Sequence, residues 1–258
     1  MRNRLMISFH SALAAALLIG ASALSVGAHE RAPQDLSAIE EIRRSFQLAP
    51  GTLVSIESIP GPVDIEKAKG NTAEVYIARS APTQHELVDC YRAIVEQTSG
   101  GLSIRTEQHC PDVQFRLRVR VSMPENVNLR IQSVSGNVHV AAIDGSARLN
   151  SISGGVWMDQ VGGDIDVGSV SGSVNLNVTR LNERGLRLNS ISGSVSLRLA
   201  ESINADVWVE SISGHVSSKI PGVTIDKVGD SDFRAQVGSG GTPIKVSSIS
   251  GSVTLWRV

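Results

Sequence analysis

From residue 129 onward apolar and polar residues alternate in short runs, and Ser-Gly breaks each run at a regular interval. One phrase recurs as LRIQSVSGNV, ARLNSISGGV, IDVGSVSGSV, LRLNSISGSV, VWVESISGHV and IKVSSISGSV. Its glycines are Gly136, Gly154, Gly172, Gly193, Gly214 and Gly251, in steps of 18, 18, 21, 21 and 37 residues. A half-repeat adds Gly145 and Gly163, each nine residues after a phrase glycine, and VSIESIPGPV at 54–63 is a degenerate early copy. In Leu129-Arg130-Ile131 and Val138-His139-Val140 every second residue is apolar, which is strand periodicity. Ser-Gly interrupts the alternation with a residue free to turn the chain.

Repeats of this length cannot bury their apolar face alone, so they stack. The expected fold is all-β: a parallel β-solenoid whose levels are short strands joined at glycine corners, about 4.8 Å apart. Val134, Ile152, Val170, Ile191, Ile212 and Ile249 are expected to form one buried ladder. Val138, Val156, Val174, Val195, Val216 and Val253 form another. The paired serines are placed at the turns, where their hydroxyls bond local backbone. Their repetition points to structure, and no phrase has the Gly-x-Ser-x-Gly form of a nucleophile elbow.

Residues 45–258 read as one solenoid domain with insertions at 66–125 and 219–243. The first carries an expected helix, Gln84–Gln97, with Leu87, Tyr91, Ile94 and Val95 on one face. It also carries a strand, Phe115–Met123, in which Arg116, Arg118 and Arg120 alternate with apolar residues. The second is punctuated by Gly and Pro, with a hairpin expected near GSGG. Residues 29–44 read as a polar tether or short helix.

Composition narrows the class. The chain is 41% hydrophobic and 19% charged, with a formal charge of -1 and only nine aromatic residues. This excludes a disordered tail, a basic nucleic-acid binder and a multi-span membrane protein. Arg2 and Arg4, an apolar stretch from Leu13 to Val26, and small residues at Val26 and Ala28 mark residues 1–28 as an export signal cut after Ala28. A membrane anchor is the alternative, although the apolar run is short for the roughly 20 residues of a spanning helix. Losing the segment's two arginines takes the formal charge from -1 to -3. The address is therefore periplasmic, secreted or cell-surface. In such an oxidising compartment Cys90 and Cys110 are expected to pair, against the alternative of two buried thiols. His109 is the only histidine beside either, which is not a zinc spacing.

Residues from about 45 to 258 resemble the bacterial β-strand-repeat domain of unknown function often labelled "putative adhesin". The resemblance rests on the Ser-Gly-x-Val phrases and on VRVSMPENVNLRIQSVSGNV, a strand–Pro–strand lead-in. It implies an exported right-handed β-solenoid and supplies no catalytic residues.

No cofactor motif is present, and no metal site is expected: the histidines make no close pair, and Asp164 and Asp166 stand without the calcium-binding Gly-Gly-x-Gly-x-Asp repeat. A carbohydrate-active enzyme on a β-helix is the catalytic alternative. It would need convergent carboxylates on long loops, and the repeats from 129 to 218 are tight. An end-to-end assembling structural module is a third reading, because open ends expose strand edges. The outward positions hold Arg130, Arg148, Asp166, Arg187, Trp208 and Lys245, and Trp157 lies outward one strand later. Arg beside exposed Trp is a composition of partner surfaces. The competing reading is that each Trp packs under an insertion. The expectation is thus a non-catalytic, adhesin-like binding or scaffold protein of the envelope. Its partner would be an envelope protein or glycan, met at Arg130, Arg148, Arg187, Trp208, Lys245 and Trp157.

Overall fold

The computed structural model describes residues 36–221, 224–227 and 232–258. The expected signal, 1–28, and the first part of the expected tether, 29–35, lie outside the described residues. Among these the chain is all-β, with nineteen strands hydrogen-bonded into one mixed network and one short helix.

The phrases form two parallel ladders, one on each side of the Ser-Gly corner. Before the corner come β2 (Leu53–Pro60), β8 (Asn128–Ser135), β10 (Ala147–Ser153), β12 (Ile165–Ser171) and β14 (Leu186–Ser192). Each pairs in parallel with the next, so Arg130 meets Arg148, Arg148 meets Asp166 and Asp166 meets Arg187. After the corner β3 (Val63–Lys67), β9 (Val138–Val140), β11 (Val156–Val161), β13 (Val174–Val178) and β15 (Val195–Leu199) form the second ladder.

The last two phrases run unbroken through the corner as β16 (Ala205–Lys219) and β19 (Thr242–Arg257). They do not follow in chain order. β19 pairs in parallel with both β14 and β15 on one side and with β16 on the other. The C-terminal phrase is therefore inserted between the fourth and fifth. The intervening β17 (Thr224–Lys227) and β18 (Asp232–Val237) form an antiparallel hairpin, and β18 adds to the far edge of β16. The hairpin expected near GSGG is not there: that turn carries the chain from β18 across β16 to β19.

Glycine is required at the corner for two reasons. Gly172 has φ of 119°, and a Cβ there would lie 2.2 Å from the carbonyl oxygen of Gly154 one level away. Gly251 meets Gly193 in the same way, at 2.1 Å, which records the inserted position of β19 in the packing itself.

The core corrects one expected ladder. Val138, Val156, Val174, Val195 and Val253 are buried, and Val216, on the last level, is half-buried. Val134, Ile152, Val170, Ile191, Ile212 and Ile249 are all exposed instead. Alternation runs on past the apolar pair without a break. After Leu186 and Leu188 the next inward position is Ser190, and Ile191 points out. Ser133, Ser151, Ser169, Ser190, Ser211 and Ser248 accordingly form a buried column. Side chains this small fit where the two strands converge on the corner.

The region 66–125 extends both ladders. β4 (Thr72–Ala81) and β7 (Arg116–Met123) continue the second, β7 pairing in parallel with β3 and β4 antiparallel with β7. β7 is the expected Arg-alternating strand, its Leu117, Val119 and Val121 buried. β1 (Ala38–Gln47) pairs along the whole of β4, so residues 38–44 of the expected tether are a strand. The helix α1 covers only Gln84–Asp89, capped by Thr83. The remainder of the expected helix is β5 (Tyr91–Thr98), a hairpin partner of β6 (Gly101–Gln108), which joins the first ladder beside β2. Cys90 caps α1 and is bonded to Cys110, with Cα atoms 5.0 Å apart. The bond pins the helix end to the exit of β6 rather than to β7. Arg79 is buried beneath, donating to the carbonyls of Leu87 and Tyr91 and pairing with Glu40.

Candidate binding face

Strand alternation sets one outward residue of each level of the first ladder in a single row: Arg130, Arg148, Asp166, Arg187, Lys245 and Trp208. The inserted β19 changes the order expected from the chain, placing Lys245 between Arg187 and Trp208. Arg130, Arg148, Asp166, Arg187 and Lys245 line a groove of about 600 Å³ whose wall also holds Asp164 and Arg184, and Trp208 continues the row beyond that lining, in register with Lys245.

Its charges are only partly neutralised. Arg148 meets Asp166 at 3.4 Å. Arg130 and Arg187 have no carboxylate within ion-pair distance among the described residues. Asp164 presents one buried carboxylate oxygen without a hydrogen-bond partner there. The Lys245 ammonium stands 5.8 Å from the centre of the Trp208 ring. On the other side of Trp208 its register partner is the exposed Arg234 of β18. The ring is half-buried, with β18 of the 219–243 region paired alongside it.

Trp157 does not join this row. It lies on the second ladder in register with His139 and Asn175, its ring across Gly155. His139 there meets Asp159 at 2.7 Å. Five of the six expected residues thus share a face, and the sixth is on the next one. Arg184 and Arg234 were missed because neither belongs to a repeated phrase. Trp256 was missed as well, although it is the third tryptophan and stacks under Lys219 at 5.0 Å. A Trp in the last turn of a repeat carries no periodic signal.

Among the described residues no group of three or more His, Cys, Asp or Glu side chains could hold a metal, and no helix is long and apolar enough to cross a membrane.

Residues 94–256 match the Toastrack DUF4097 family. The chain belongs to that family. A solved structure described as a "putative cell adhesion protein" from Clostridium sporogenes shares the fold, with TM-score 0.50 and 12% identity over 86% of this chain and 100% of that one. A "putative adhesin" from Bacteroides fragilis matches at TM-score 0.35 and 12% identity, over 85% and 97%. No curated protein matches. The first likeness covers more of this Toastrack chain than the matched family segment does.

Proposed function

We propose that this Toastrack protein is an exported, non-catalytic adhesin-like binder of the cell envelope, in which a right-handed parallel β-solenoid presents the basic row to an acidic glycan. The observation that carries the reading is the mixed chemistry of the groove and of Trp208, which continues its row. Guanidiniums of Arg130 and Arg187, without a carboxylate partner among the described residues, suit carboxylates, which they can grip with paired N–H donors. Asp164 and Asp166 line the same groove and can accept from hydroxyl donors. Trp208 offers a flat apolar platform for a sugar face. A polyanion carrying charge alone would be repelled by Asp164 and Asp166, whereas a uronate-containing chain supplies both carboxylates and hydroxyls. The repeat geometry supports an extended ligand, because equivalent groups recur at strand spacing of about 4.8 Å.

The test is calorimetric titration of the exported protein with oligogalacturonate and, in parallel, with a neutral oligosaccharide. Binding of the acidic oligomer that weakens with salt, and that Arg130→Ala with Arg187→Ala abolishes in a folded protein, supports the reading. Equal binding by the double variant removes the row from the account. Release of reducing ends from the oligomer would favour the catalytic alternative.

A further inference from the structure

The exposed aliphatic ladder has no role in the core and none in the basic groove. In stacking order it reads Val134, Ile152, Val170, Ile191, Ile249, Ile212. Ile212 is 78% exposed and the other five lie between 43% and 55%. Six β-branched side chains facing water at strand spacing make a straight apolar ridge about 24 Å long. A shallow apolar groove of about 510 Å³ runs along five of its rungs, from Ile152 to Ile212, and is also lined by Asn150, Gly168 and Asn189. Apart from Glu210 at one end, no charged residue lines that groove. Single exposed aliphatics need no explanation, but a contiguous strip of this kind marks a covered surface.

The geometry points to a second copy of this chain as the occupant, packed ridge to ridge across a two-fold axis parallel to the ladder. Three features select it. An uncharged aliphatic strip offers nothing to a charged partner and repels no copy of itself. The pitch of the ridge is matched by another ridge of the same strand spacing, so rung can pack against rung along its whole length. Charge then fixes the axis. The basic row lies on the same strands, four residues before each rung. An axis along the strands would bring the Arg130, Arg148 and Arg187 rows of two copies face to face. An axis along the ladder sends them to opposite flanks, leaves both grooves open and sets each rung against its own counterpart. Two open grooves on one particle add avidity for an extended ligand.

Area sets the strength. A ridge of this length over the last outward positions of the strands covers on the order of 400 Å² per copy, against about 800 Å² in a standard stable interface. The dimer is therefore weak, reversible and concentration-dependent.

Sedimentation velocity of the exported protein over a wide concentration range is the first measurement. The wild type is expected to pass from monomer to dimer, and Ile191→Lys with Ile249→Lys to raise the dimer dissociation constant by at least about tenfold with its circular dichroism unchanged. Because added charge can unfold a strand, a second measurement uses single cysteines, the native pair being bonded to each other. Ile191→Cys should form an intermolecular disulfide under mild oxidation, and Arg187→Cys should not. A wild type that stays monomeric to about 1 mM overturns the proposal. So does a dimer that survives the lysine pair, or cross-linking through residue 187 in place of 191. Glycan titration of the monomeric variant separates this inference from the binding function, since the basic row is intact in it.

Discussion

Ser248 pairs in parallel register with Ser190, which precedes it by 58 residues, and on its other side with Ser211. The fifth phrase is thus laid down one level away from the fourth, and the C-terminal phrase returns to fill the gap. β19 is an interior strand of both ladders, flanked by β14 and β15 on one side and by β16 on the other. Pairing across such separations carries a loop-closure cost before any contact repays it, so folding is slow relative to helical domains of this size.

The corner glycines leave no room for substitution. Gly172→Ala would combine a positive φ with a Cβ driven into the Gly154 carbonyl, and should cost at least about 2 kcal/mol. Chemical denaturation of the two proteins measures it. Gly70→Ala is the comparison that isolates the packing part, because its φ is 88° and a Cβ there meets nothing within 4 Å. Gly172→Ala is expected to be the more damaging of the two.

The buried serine column behaves in the opposite way. The hydroxyls of Ser151, Ser169 and Ser190 have no hydrogen-bond partner among the described residues. Removing an unpaired buried hydroxyl costs little, so Ser190→Ala should leave stability unchanged or raise it by up to about 1 kcal/mol. Ser190→Val would crowd the corner and lower the melting temperature. A large loss in the alanine variant would show that the hydroxyl has a partner after all.

Alkaline stability should report on Tyr91. Burial pushes its hydroxyl from 10.0 up to about 12, against smaller opposing effects of a hydrogen bond with Thr106 and the charge of Arg79. The folded state keeps this proton to higher pH than the unfolded state does. The associated stability is therefore present below pH about 10 and is lost as pH rises through about 12. Tyr91→Phe should flatten the fall in melting temperature over that window. Tyr76, raised by its hydrogen bond to Glu41, is less buried than Tyr91, and Tyr76→Phe should change the slope less.

Much of this arrangement was legible in the sequence, and the failures have definite causes. Alternation placed Arg130, Arg148, Arg187, Lys245 and Trp208 outward, and the structure agrees. The same rule, carried two residues further, puts Ser190 in and Ile191 out. Treating serine as a turn residue and isoleucine as a core residue overrode it. Leu87, Tyr91, Ile94 and Val95 satisfy a helical spacing, yet Ser99 and Gly100 close a two-residue hairpin, and pairing with β6 and then β2 decides for strand. The order of the levels was not legible at all. Near-identical phrases can stack in any order, and the order is fixed by the pairing of β19 with β14, β15 and β16, which the contacts of Gly251 and Gly214 record as well.

That order is the relationship on which both the basic row and the aliphatic ridge depend, and one cross-linking experiment reads it directly. Ser196 is in register with Thr254, and Thr254 with Ser217, all three on outward positions of neighbouring strands. Directly paired positions are within disulfide reach, whereas positions two strands apart, about 9.6 Å, are not. In the oxidised protein Ser196→Cys with Thr254→Cys should form an intramolecular disulfide, and Ser196→Cys with Ser217→Cys should leave two free thiols. Ready bonding of the 196–217 pair, with none between 196 and 254, would mean that the phrases stack in chain order and would contradict the account.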